Sequence, residues 1–176
     1  AGGYIGGETA LTLAKAGIIV AVCDINPETI EKTVKRIEKI GGEAKGYVID
    51  VTDSKSVDNV VDNIVKDFGR LDIMVHIAGG SARIAGPNAK YVPLVEQEDY
   101  VIDRVLKVNL YGAFWASRAA ARVMIKQGEG GKIINFSSAV GDDLNLVKML
   151  VVHLHPCWSV HRESDAISLV ALLTNL

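Results

Sequence analysis

The run Ala1-Gly2-Gly3-Tyr4-Ile5-Gly6-Gly7 leads directly into a helical pattern. Glycines there let the backbone approach a pyrophosphate, and the start of a helix offers unpaired N–H groups and the positive end of its dipole. By themselves such glycines are often only a loop. Asp24 adds the second half of the pattern, because it closes the next apolar run twenty-one residues after Gly3. An acidic side chain about 20 positions on is the one that accepts from a ribose 2′-hydroxyl. The same carboxylate repels a 2′-phosphate, and its neighbours Ile25 and Asn26 bring no cation, so the pattern predicts NAD in preference to NADP. The competing reading of Asp24 is an aspartate that merely turns the chain into a helix.

A second grouping lies in the tail, where His153, His155, Cys157 and His161 form His-x-His-x-Cys-x3-His. These are ligand types suited to zinc, and alternate residues on a strand share a face. Pro156 interrupts the segment and nothing nearby supplies the outer hydrogen bonds that orient metal ligands, so no metal is predicted.

The elements that must position these residues alternate. A helix over about 4–16 is stopped by Gly17. The continuous apolar run 18–23, rich in β-branched residues, then reads as a strand covered on both faces. Asn26 and Pro27 open a helix in which Ile30, Val34, Ile37 and Ile40 fall on one side, ended by Gly41-Gly42. A strand over 44–49 follows, then a helix over 54–68 with Val57, Val61, Ile64 and Phe68 on one face and Ser54 as its N-cap. A third strand spans 71–77, and the Gly/Pro-punctuated segment 79–93 is long enough to be an active-site loop. Helices over about 95–110 and 111–127 and a strand over 132–136 complete the pattern. Beyond Gly141 the periodicity fades, and only 166–173 reads as helical.

Strands and helices alternating at this spacing predict βαβ crossovers, hence an α/β, doubly wound parallel sheet with helices on both faces. The chain of 176 residues fits one domain. Hydrophobic residues at 49% supply a core, against a disordered chain. With 19 basic and 21 acidic residues and no Lys/Arg block, the counterion release on which nucleic-acid binding depends has no source. No apolar stretch approaches the ~20 residues that cross a bilayer. Two cysteines and the lack of a basic-then-apolar leader point to a cytoplasmic setting.

Several short segments now come in order: the glycine loop, Asp24, Asp50-Val51, residues 71–79 (LDIMVHIAG), Val108-Asn109-Leu110 and Ile134-Asn135-Phe136-Ser137-Ser138. Together they resemble the short-chain dehydrogenase/reductase family, over about residues 1–141. The resemblance implies a Rossmann-like fold and an NAD-dependent oxidoreductase that transfers a hydride between nicotinamide and a secondary alcohol or ketone. It implies that Gly3 and Gly6 cradle the pyrophosphate and Asp24 holds the adenosine ribose. Asp50 and Val51 would flank the adenine, and Ala78 and Gly79 would line the path to the nicotinamide ribose. Ser138 would hydrogen-bond the substrate oxygen, and Asn109 would fix a water in the proton relay. It further implies a small-molecule substrate and, for the full-length protein, a homo-oligomer built through the two helices of 95–127, the second rich in small residues that allow close approach.

The chain departs from the family pattern. Tyr4 stands where many members have glycine, and His76-Ile77-Ala78-Gly79 replaces Asn-Asn-Ala-Gly. The family's acid/base is a tyrosine whose pKa is lowered by a lysine four residues on, yet no tyrosine follows Tyr111 here. His161 and Asp165 stand in a stretch similar to the family's helix at that pair, and the match is read as coincidence in an altered tail. The family's first strand would precede Ala1 and its last strands would follow Leu176. The expectation is therefore a truncated member: a partial NAD-binding domain over 1–141, an atypical tail over 142–176, marginal folding and impaired catalysis. A non-catalytic nucleotide-binding or interaction module is the alternative.

Overall fold

The computed structural model describes residues 3–80, 86, 92–136, 149–154 and 170–175, the last two segments at the level of the backbone. In chain order these form α1 (Tyr4–Lys15), β1 (Ile19–Asp24), α2 (Pro27–Glu38), β2 (Ala44–Val48), α3 (Ser54–Phe68) and β3 (Ile73–His76). There follow α4 (Asp99–Leu106), a π-helical turn (Lys107–Tyr111), α5 (Gly112–Gln127), β4 (Gly131–Phe136), β5 (Met149–Leu154) and β6 (Val170–Asn175).

Local chemistry sets the helix ends. The Asn26 side chain accepts from the Glu28 N–H at 2.9 Å, and Pro27 occupies the first helical position of α2, where its missing N–H costs nothing. At α3 the cap is Asp53, not Ser54: Asp53 is extended and accepts from the Lys55 N–H at 2.9 Å, while Ser54 is already the first helical residue. Gly69 ends α3 at φ 78°, a left-handed conformation that a side chain disfavours. The helix expected over 95–110 is shorter than the pattern implied. A 3-10 turn at Leu94–Glu96 precedes α4, and the π turn joins α4 to α5.

The strands form one six-stranded sheet in the order β2-β1-β6-β3-β4-β5. All neighbours are parallel except β4 and β5, which pair antiparallel from Gly131 opposite Leu154 to Phe136 opposite Met149. Alternate side chains feed two cores. Val20, Val22 and Val75 face Ala10 and Ala14 of α1 and Ile30 and Ile37 of α2. Ala21, Cys23, Met74 and Ile133 face Val57, Val61 and Ile64 of α3 and Ala116, Ala120 and Met124 of α5. The chain is thus α/β and doubly wound, as its periodicity predicts.

The tail corrects one expectation. Residues 170–173, read from sequence as the end of a helix, are strand, because β6 sits at the centre of the sheet where both edges demand backbone partners. It runs parallel to β1, from Val170 opposite Ile19 to Asn175 opposite Asp24, and parallel to β3, from Ala171 opposite Ile73 to Thr174 opposite His76.

Two polar clamps hold the start of β3. The Gln127 amide pairs with the backbone of buried Leu71, accepting from its N–H at 2.7 Å and donating to its carbonyl at 3.1 Å. Arg70 bridges Asp72 at 2.6 Å and Glu129 at 2.9 Å.

Deleting residues 170–176 exposes the inner edges of β1 and β3 together. Each buried backbone group left unpaired costs about 1–3 kcal/mol, and a domain has only about 5–15 kcal/mol to lose. The expected outcome is loss of the cooperative unfolding transition, followed by circular dichroism in urea. A deletion variant that keeps a cooperative transition would show that β6 is dispensable.

Candidate cofactor site

Five of the six strands are parallel, so their carboxyl ends lie on one edge of the sheet: Asp24, Val48, His76, Phe136 and Asn175. In open α/β sheets this edge is where ligands bind. Helix α1 joins β1 through a short turn at 16–18 and packs along β1 and β6. A 12-residue helix spans about 18 Å and a 6-residue strand about 20 Å, so Gly3 returns to the edge at which Asp24 ends β1.

Gly3 is the N-cap of α1, with extended backbone, no side-chain cap and no acidic residue in the first turn. The N–H groups of that turn are therefore neither capped nor countered by a carboxylate. Gly6 lies buried within the turn. Asp24 is 2% exposed, and its Oδ1 accepts from the Asn26 N–H at 2.9 Å, which ties the end of β1 to the cap of α2.

After β2, Asp50 is half-buried and Val51 buried. Asp50 Oδ1 accepts from the Thr52 N–H at 2.8 Å and from the Thr52 hydroxyl at 2.7 Å, and the Asp50 N–H donates to Ser56 Oγ at 3.0 Å. After β3, Ala78 is buried and Gly79 exposed. Asn109, in the π turn, grips this segment. Its Oδ1 accepts from the Gly80 N–H at 2.8 Å, and its Nδ2 donates to the carbonyls of Gly80 and Val105, each at 2.8 Å. A Cβ at Gly79 would stand 2.8 Å from that Oδ1, so a side chain there would push the Asn109 amide out of its present place.

His76, the departure from the family's asparagine, is 1% exposed and hydrogen-bonds to the Ala78 backbone. It therefore supports the same segment from within the core. Burial pulls its pKa down to about 4, against the smaller opposing effect of that hydrogen bond. Cys23 is buried beside Asp24, and burial pushes its thiol up to about 12, so it is no nucleophile.

The sequence-predicted residues Gly3, Gly6, Asp24, Asp50, Val51, Ala78, Gly79 and Asn109 thus fall on one edge, and Asn109 and Gly79 touch. Ser138 lies outside the described residues, as do His155, Cys157, His161 and most of the 79–93 loop. His153 falls in β5, where only the backbone is described. Among the described residues no group of three or more His, Cys, Asp or Glu could hold a metal, and no helix is long and apolar enough to cross a membrane. Sequence reasoning missed Thr52, Ser56 and Arg104, whose Nη1 donates to Thr52 Oγ1 at 2.9 Å. The Asp-x-Thr spacing carried a turn signal for Thr52, whereas nothing in the sequence pairs Arg104 with it.

A glycine-opened helix, a carboxylate at the end of the next strand and a braced strand-end segment thus lie on one edge of a doubly wound α/β sheet. The short chain dehydrogenase family model matches residues 1–149, and the chain belongs to that family. It is 37% identical over 137 residues to a 3-oxoacyl-[acyl-carrier-protein] reductase of Thermotoga maritima, covering 78% of this chain and 52% of that protein. Among solved structures it is similar to NAD+-bound xylitol dehydrogenase at TM-score 0.70 and 38% identity, covering 77% of this chain and 49% of that one. It is also similar to an actinorhodin polyketide ketoreductase with NADPH at TM-score 0.66 and 28% identity, covering 74% and 48%. The chain spans about half the length of each of these three relatives.

The depressed pKa of His76 carries a stability consequence. The unfolded imidazole, near 6.5, binds a proton that the folded one refuses until about pH 4. Stability is therefore fully present above about pH 6.5 and falls as pH drops towards 4, by roughly 3 kcal/mol in all. Urea unfolding at pH 7, 5.5 and 4.5 measures it, and His76→Asn flattens that slope.

Proposed function

We propose that this chain carries the dinucleotide-binding part of an NAD-dependent oxidoreductase, which moves a hydride between nicotinamide and a secondary alcohol or ketone. The observation that carries the reading is Asp24, buried at the end of β1 on the edge to which the uncapped α1 returns. The donor set fits a dinucleotide: N–H groups for the diphosphate, a carboxylate acceptor for a ribose diol and a braced turn at 50–52 for the base. When bound, nicotinamide would supply the hydride chemistry. The chain's own residues bind and orient. Gly3 and Gly6 allow the backbone of α1 to approach the diphosphate, Asp24 accepts from the ribose, and Asp50 and Val51 border the adenine. Ala78 and Gly79, fixed by Asn109 and His76, border the path to the nicotinamide ribose.

NAD is favoured over NADP because a 2′-phosphate would meet the Asp24 carboxylate with only Ile25 and Asn26 beside it in the chain. Proton transfer is the weak point. Ser138 would orient the substrate oxygen, and Asn109 has its amide committed to backbone groups, leaving little of it to hold a water. No tyrosine follows Tyr111, so the family's acid/base pair is absent and catalysis by this chain is impaired. That same absence favours the second reading, a nucleotide-binding module without a redox step. A reducing, cytoplasmic setting is in keeping with two cysteines, too few for a disulfide framework.

NADH fluorescence titration is the test. Saturable binding is expected, weakened at least about tenfold by Asp24→Ala through loss of charge-assisted hydrogen bonds, with NADPH binding more weakly than NADH. Absence of binding overturns both readings. Binding without turnover supports the module, and steady turnover with a secondary alcohol, abolished by Ser138→Ala, supports the complete enzyme.

The proposed homo-oligomer rests on a stripe. Ile102, Leu106, Leu110 and Phe114 recur every four residues along α4, the π turn and α5, and all four are exposed. A row of large apolar groups on one helical face marks an association surface. Leu106→Glu with Phe114→Glu is expected to turn an oligomer into a monomer by light scattering, and an unchanged mass would remove this stripe as the contact.

A further inference from the structure

The turn at 50–52 is held by hydrogen bonds that begin on a distant element. Arg104, in the last turn of α4, donates from Nη1 to Thr52 Oγ1 at 2.9 Å, and the Thr52 hydroxyl stands 2.7 Å from Asp50 Oδ1. A guanidinium can only donate, and a hydroxyl has one proton to give. The direction is therefore fixed: Arg104 donates to Thr52, and Thr52 donates to Asp50. With the Thr52 N–H on the same Oδ1 and Ser56 on the Asp50 N–H, the carboxylate keeps one orientation. Among the described residues its Oδ2 takes no hydrogen bond.

The same helical run grips the turn a second time. Gly112 lies so close to Val51 that a Cβ there would stand 3.2 Å from the Val51 carbonyl oxygen and from its Cβ. The Gly112 N–H bonds to the Lys107 carbonyl five residues back, closing the π turn. Such wide turns re-aim neighbouring side chains and are frequent at functional sites. Here Arg104 and Asn109, five residues apart, reach two different strand-end segments, 50–52 and 79–80.

We propose that Arg104 is a positioning residue for the adenosine end of the cofactor. Acting through Thr52, Arg104 aims Oδ2 of Asp50 at the exocyclic amine of the adenine ring, which Arg104 does not itself touch. The inference rests on the dinucleotide reading given above. Adenine presents an amine donor to Asp50, whereas hypoxanthine presents a carbonyl that a carboxylate repels.

The test compares NADH with reduced nicotinamide hypoxanthine dinucleotide, titrated by fluorescence into the full chain and its variants. The unaltered chain is expected to prefer NADH by about tenfold, the worth of one hydrogen bond to a charged group. Arg104→Ala narrows that preference to about twofold, chiefly by weakening NADH, and Arg104→Lys recovers part of it. Thr52→Val, which keeps the shape and removes the hydroxyl, reproduces the loss, and the double variant loses no more than either single one. A purely structural role would weaken both dinucleotides equally and leave the ratio intact, and that result overturns the proposal. So does an unaltered chain that binds both equally, or a preference unmoved in both Arg104→Ala and Thr52→Val. If the unaltered chain binds neither dinucleotide, the cofactor reading itself fails, an outcome separate from a ratio that Arg104 does not control.

Discussion

A parallel sheet covered by helices on both faces has no water with which to satisfy its central strands, so each inner strand edge must find a backbone partner. In this chain the requirement falls on the facing edges of β1 and β3, which carry the buried Val20, Val22, Met74 and Val75. Strand β6 meets it, pairing in parallel on both sides and joining β2-β1 to β3-β4-β5. Without that strand the two cores, one under α1 and α2 and one under α3 and α5, would lose the layer they share.

The site is a consequence of that sheet. Parallel pairing puts the carboxyl ends of five of the six strands on one edge, and the helices returning from it point their N-termini the same way, so Gly3, Asp24, Asp50 and Gly79 fall on that edge although far apart in sequence. Strand ends alone would leave two wandering turns. The helical run from α4 to α5 braces both, Arg104 and Gly112 at 50–52 and Asn109 at Gly80, while its opposite face exposes Leu106, Leu110 and Phe114. One element thus lies between the strand-end edge and the proposed subunit contact, so whatever packs on one face meets a helix that fixes the other.

Legibility in the sequence followed the range of the interaction responsible. The caps and turns of α2 and α3 and the buried run of β1 could be read because they depend on neighbours a few residues away, though the cap of α3 moved one residue to Asp53. The glycine opening and Asp24 stand out in the sequence because a dinucleotide site sets residue types at a fixed spacing, whereas the Asp50-Val51 pair is singled out only by the resemblance to the family. Residues 170–173 were misread because an apolar run of that length suits either a helix or a buried strand. Only the neighbours it pairs with decide between them.

By itself the sequence determined the alternation of strands and helices, the α/β class, the positions of the glycines and Asp24, and the absence of a tyrosine after Tyr111. These follow from side-chain periodicity, backbone freedom and composition, all of which act locally. Only the tertiary structure decided that β6 stands at the centre of the sheet, that His76 is buried beneath Ala78, and that Arg104 reaches Thr52 from 52 residues away. Each depends on which surfaces meet once the sheet has closed, and no local pattern encodes the partner of a long-range contact.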